Sequence, residues 1–128
     1  MIDDIIAINS LIHEYFKGLQ GKFNECDMRA WHPQGRISYV RNGSLNVIPQ
    51  IVWNELNAET LPFSGELSCE LVSIDITGNV AMCKVVVLIR KEKFVERYTD
   101  YLTLVKIHND WSFINKSFYA EVNRCAVN

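Results

Sequence analysis

TDYLTLVKIHNDWSFINKSFYAE, residues 99–121, reads as two strands joined by a tight turn. Asn109 and Asp110 tolerate positive φ, so they are the expected pair of turn residues. That turn sets a register running outward from His108 opposite Trp111. Lys106 then faces Phe113, Leu104 faces Asn115, Leu102 faces Ser117 and Asp100 faces Tyr119. On the other face Val105 meets Ile114, Thr103 meets Lys116 and Tyr101 meets Phe118. Both faces carry large apolar groups, whereas a sheet covered on one side alternates more cleanly. One face is therefore expected against the chain's own helices and the other against a second subunit.

Upstream, Ile5, Ile8, Ile12, Tyr15 and Leu19 recur at three- and four-residue steps, which predicts an amphipathic helix over about 3–19. Asp3 and Asp4 suit its first turn. Asn24 can cap a short second helix ending near Trp31, where His32-Pro33 acts as a helix stop. Arg36 to Val40 reads as a strand, Asn42-Gly43 as a hairpin turn and Ser44 to Val47 as the return strand. Pro49 opens a third helix carrying Trp53. After a loop at 61–65 the chain is strand to its end: 66–76, a turn at Thr77-Gly78-Asn79, 80–90, a reversal at Lys91-Glu92, then a strand from Phe94. With that reversal, Cys83, Val85 and Val87 share a face with Asp100. Helices ahead of a long antiparallel meander predict one α+β domain over 1–128, with the sheet curled around the first helix. Its conical interior suits a small ligand.

Composition narrows the function classes. Hydrophobic residues at 48% and charged residues at 22% are globular values, and 128 residues make one domain. A net charge of −2 gives no electrostatic attraction to nucleic acid or to an anionic membrane. No apolar run approaches the ~20 residues of a membrane span, and with Asp3 and Asp4 after Met1 no signal sequence is expected. Cys26, Cys69, Cys83 and Cys125 lack CxxC spacing and read as reduced thiols, so a cytoplasmic location is expected. The histidines have no metal-ligand spacing, and there is no Gly-rich phosphate loop or nucleophile elbow. No metal or cofactor is expected.

The element order is similar to the nuclear transport factor 2-like superfamily, the cone-shaped fold of ketosteroid isomerases, scytalone dehydratases and polyketide cyclases. Within it, DYLTLVK at 100–106, Trp111, Asn115-Lys116 and His32-Pro33 resemble the "putative lumazine-binding" family. The resemblance implies a homodimer through the open sheet face. It also implies that Tyr15 and Asp100 match the oxyanion-hole tyrosine and neutral aspartic acid of ketosteroid isomerases, an enzyme long used to illustrate a carboxyl kept protonated. The isomerase general base falls on Tyr39, so that role is unfilled.

Three residues are the candidate catalytic set: Asp100, Tyr15 and His32. An apolar face disfavours a charged carboxyl unless a donor compensates. Asp100 is therefore either a ligand-facing acid or a buried acid satisfied by the Tyr15 or Tyr119 hydroxyl. His32 is either a pocket-rim base or a helix cap. Tyr39, Trp53, Cys83, Val85, Leu102, Asn115 and Tyr119 are the expected pocket lining, with Tyr39 and Trp53 equally readable as core aromatics. Three functions follow. The first is binding of a small apolar or aromatic ligand. The second is an isomerase, dehydratase or cyclase, and the third a structural or regulatory homodimer.

Overall fold

The computed structural model describes residues 2–21, 30–57 and 65–124, with backbone only for 54–57. Its elements are α1 (Ile2–Leu19), β1 (Trp31–Arg41), β2 (Ser44–Pro49), α2 (Gln50–Asn57), β3 (Glu66–Thr77), β4 (Val80–Arg90), β5 (Phe94–Ile107) and β6 (Asp110–Arg124). The six strands form one curved, unclosed sheet in the order β2-β1-β6-β5-β4-β3. All neighbours are antiparallel except β1 and β6, which run parallel.

The stripe Ile8, Ile12 and Tyr15 repeats at helical spacing, so α1 has one apolar side to bury. It buries that side in the concave face of the sheet, against Ala81, Cys83, Val85, Val87, Ile89, Leu102, Leu104, Trp111 and Phe113. Cys83, Val85 and Val87 do share the Asp100 face, facing Leu102, Asp100 and Tyr98 across the ladder. The β4–β5 reversal is longer than Lys91-Glu92, with Arg90 opposite Val95 and the Lys91 N–H donating to the Phe94 carbonyl at 2.8 Å. The extra residues add an even number to the register, so the faces are kept.

The opening hairpin departs from its expected register in two places. Its turn is His108-Asn109, both at positive φ (50° and 68°), so Ile107 faces Asp110 and Lys106 faces Trp111. Moving the turn back one residue preserves the faces. The second departure does not. A bulge at Ile114 lies between the pairs Leu104–Phe113 and Thr103–Asn115. One extra residue on β6 exchanges its faces from there outward. Lys116 and Phe118 turn inward opposite Leu102 and Asp100, while Asn115, Ser117 and Tyr119 turn outward.

The expected second helix falls mostly on residues 24–29, outside the described residues. Its expected end does not hold: Trp31 and His32 begin β1. Pro33 and Gly35 sit where the β1–β6 pairing is interrupted between Trp31 and Arg36, a place that tolerates a missing N–H donor. Buried Gly35 carries no side chain because a Cβ there would lie 2.8 Å from the Trp31 ring and 3.0 Å from the His32 carbonyl.

One polar cluster pins the start of α1 to the sheet. The Trp111 indole N–H and the Lys106 ammonium each donate to Asp4 Oδ1 at 2.9 Å. Those contacts hold the Asp4 carboxyl below its ordinary value of 3.8, the Trp111 hydrogen bond contributing most and Lys106 next. A depressed folded-state carboxyl stabilises above its unfolded pKa and loses that contribution as pH falls through the folded value. Asp4→Asn is therefore expected to lower the melting temperature at neutral pH and to flatten its fall below about pH 4. Thermal melts of both proteins across pH 2.5–7, approximately the range of carboxylate titration, check this.

Candidate functional site

The interior site begins with Asp100, 2% exposed at the middle of β5. Its strand neighbours on the concave face are Tyr98 and Leu102. Val85 lies opposite on β4 and Phe118 on β6. A carboxylate cannot lose its water here without a substitute donor. Tyr15, on the buried stripe of α1, supplies one: its hydroxyl donates to Asp100 Oδ2 at 2.5 Å. Asp100 Oδ1 is buried and has no hydrogen-bond partner among the described residues.

The compensating charge is Lys116, which the sequence pattern had placed on the opposite face. The Ile114 bulge brings it inside, with Nζ 4.0 Å from Asp100 Oδ2 and the side chain 10% exposed. Nζ also lies over three aromatic rings: 5.2 Å from the Tyr15 centroid, 5.3 Å from Phe118 and 5.8 Å from Trp53. A cation over ring faces is attracted by their quadrupoles, more so when desolvated. Beyond Lys116 the rings continue as a cluster. Phe118 stacks on Tyr39 at 4.9 Å and 28°, and lies 5.7 Å from Trp53 and 6.3 Å from Tyr98.

Electrostatics follow from this burial. Desolvation, then the Asp100 charge, pushes the Tyr15 hydroxyl well above its usual range, so it stays a donor. Desolvation lowers the Lys116 amine, and Asp100 opposes that shift. The Cys69 thiol on β3 is pushed up to about 11, by burial first and Asp100 second. The Tyr98 hydroxyl is pushed up to about 12 by burial and by its hydrogen bond to Glu96.

The structure gathers some expected site residues and separates others. Tyr15, Asp100, Tyr39, Trp53, Cys83, Val85 and Leu102 lie on the concave side. Tyr119 does not, being 67% exposed. Asn115 is also outside. With its amide oriented for best hydrogen bonding it donates to the Arg36 carbonyl and Ser38 Oγ. Both corrections have one cause, the bulge that reverses β6. The Phe118 expected on the dimer face is inside for the same reason.

His32 does not join Tyr15 and Asp100. Its Nδ1 accepts from the Gln34 N–H at 3.0 Å, and it lines a shallow outer depression with Gln34, Val105, Ile107 and Ile114. Among the described residues no group of three or more His, Cys, Asp and Glu side chains is placed to hold a metal ion. Lys116 and Phe118 are what sequence reasoning missed. The signal was weak: an apolar Ile114 between Phe113 and Asn115 is the one extra residue in an otherwise alternating strand.

Tyr15, Asp100 and Lys116 act as a unit, so their substitutions are not additive. Lys116→Met is expected to cost about 3–5 kcal/mol, because it strands a buried carboxylate. The pair Asp100→Asn with Lys116→Met is expected to recover about half of that or more. Urea unfolding of the two single variants and the double variant closes the cycle.

The comparisons with other proteins agree with this architecture. The family described as "Putative lumazine-binding" matches residues 3–119. Among curated proteins, no match was found. Solved structures match over nearly their full lengths. One is a nuclear transport factor 2-like protein of unknown function from Shewanella baltica OS155, with TM-score 0.75, 18% identity, and coverage of 94% of this chain and 95% of that one. A second, of unknown function from Methylobacillus flagellatus KT, has TM-score 0.74, 21% identity and 94% coverage of both. A third is the hexachlorocyclohexane dehydrochlorinase LinA-type3 from Novosphingobium barchaimii LL02, with TM-score 0.70, 10% identity, and coverage of 98% and 92%. At these identities the likeness is one of fold. With the family match spanning nearly the whole chain, the protein belongs to the "putative lumazine-binding" family, and its fold is that of the nuclear transport factor 2-like structures.

Proposed function

We propose that residues 1–128 form one small-molecule-binding domain whose ligand lies against the aromatic cluster of Tyr39, Trp53, Tyr98 and Phe118 and reaches Asp100. The observation that carries this reading is Asp100 Oδ1, buried and unpartnered among the described residues. A buried acceptor left unsatisfied costs about 1–3 kcal/mol, and a ligand N–H or O–H would remove that cost. The rings around it favour a flat partner, since offset stacking adds to simple burial. The ligand is therefore a planar ring bearing a donor on one edge. Lumazine, named by the family description, is a fused ring with N–H and C=O groups along an edge, and it fits these requirements.

An isomerase, dehydratase or cyclase is less well supported. An oxyanion hole needs donors aimed at the substrate oxygen. Here Tyr15 gives its hydrogen to Asp100, and the position of the isomerase base holds Tyr39. A structural or regulatory homodimer with a filled interior is the third reading. A dimer is compatible with binding. The open sheet face exposes Met82, Tyr101 and Ile107, and we assign that face to a second copy of the chain. Cytoplasmic residence suits the free thiols of Cys69 and Cys83.

Thermal-shift measurements with a panel of planar heteroaromatics, lumazine included, test the binding reading. A member with an edge donor is expected to raise the melting temperature, and Asp100→Asn is expected to remove the gain. Uniform failure across the panel would support the filled-interior reading instead. For the dimer, analytical ultracentrifugation is expected to find two copies, and Tyr101→Asp to give one. A monomeric wild-type protein would remove that assignment.

A further inference from the structure

Lys116 is the one buried lysine among the described residues, and its surroundings are not those of a simple ion pair. A lysine placed only to neutralise a carboxylate hydrogen-bonds it at about 2.7–2.9 Å. Lys116 Nζ stands 4.0 Å from Asp100 Oδ2, and Tyr15 has taken the hydrogen-bonding position on that oxygen. Among the described residues Nζ makes no hydrogen bond; its other neighbours are the ring faces of Tyr15, Phe118 and Trp53. An amine in an aromatic enclosure, 4.0 Å from its counter-ion and not hydrogen-bonded to it, has the desolvated surroundings in which a lysine can act as a nucleophile.

We propose that Lys116 condenses with an aldehyde or ketone ligand to give a protonated imine held in this aromatic enclosure. The proposal rests on the reading that a small planar molecule enters here, and it names that molecule's reactive group. The ammonium first gives one proton to the Asp100 carboxylate, whose Oδ2 lies 4.0 Å from Nζ. The amine lone pair then forms a C–N bond to the carbonyl carbon, and the carbonyl π electrons move to oxygen. A proton passes from nitrogen to that oxygen, giving a neutral carbinolamine. Asp100 returns its proton to the hydroxyl, the C–O bond breaks and water leaves. The nitrogen lone pair closes the C=N bond. One ammonium and one carbonyl have become one iminium and one water, with charge unchanged.

Charge conservation is the physical appeal of the step. The iminium keeps the +1 that balances Asp100, and its flat shape suits the faces of Phe118 and Trp53. Desolvation of the amine works in the same direction, favouring its neutral, nucleophilic form.

The test uses the intact protein with 2-naphthaldehyde and sodium cyanoborohydride, which fixes an iminium as a secondary amine. Peptide mapping by mass spectrometry locates the adduct. Lys116 is expected to be labelled at least about tenfold faster than Lys84, Lys91 or Lys106. Lys116→Arg is expected to lose the fast label while holding a cation in the site. The map is read on the wild-type protein, so it stands even if that variant folds poorly. Labelling spread over the exposed lysines, with the aldehyde still raising the melting temperature, overturns this proposal alone. No adduct and no stabilisation by any ring probe overturns the binding reading and this proposal together.

Discussion

The hydrogen bond from Tyr15 to Asp100 joins the first helix to the sheet within the buried core. Tyr15 ends the buried stripe of α1 and Asp100 lies mid-strand on β5, far apart in the chain. The bond forms only if the helix lies in the concave face with one rotation and one depth. Burying a carboxylate is costly, and the surroundings of Asp100 are explained by how that cost is met. Tyr15 supplies a donor, Lys116 supplies charge and the aromatic rings hold Lys116 in place. One oxygen, Oδ1, is left over.

The balance among these groups separates this interior from a plain hydrophobic core. Cys83, Val85, Leu102 and Phe113 around it are fully buried and apolar. A lone ion pair in such a place is weak support for stability, and hydrophobic groups of equal volume often serve as well. A polar set beside an aromatic cluster is what the proposed ligand would meet. Within this set the Tyr15 hydroxyl already donates to Asp100.

The fold was largely legible in the sequence because its signals are local. The stripe Ile8-Ile12-Tyr15, the Asn42-Gly43 turn and the long apolar strands each speak for themselves. The face shared by Asp100, Cys83 and Val85 was also legible, since errors of an even number in a turn leave side chains where they were. The site was legible only in half. Tyr15 and Asp100 follow from patterns on single elements. Lys116 and Phe118 depend on one extra residue at Ile114, and a period of two carried past a bulge places every later side chain on the wrong face. That single residue sent Asn115 and Tyr119 inward on paper and outward in the protein. His32 went astray for a different reason. A proline read as a helix stop instead sits in an interruption of the β1 pairing, where its missing N–H costs nothing.

The central claim is that a planar ligand completes the hydrogen bonding of Asp100. A crystal structure of the protein soaked with a ring that raises its melting temperature tests this most directly. The account predicts the ring against Phe118 and Trp53, with a donor within hydrogen-bond distance of Asp100 Oδ1. A ring bound elsewhere, with Oδ1 hydrogen-bonded to another group of the chain itself, would contradict it.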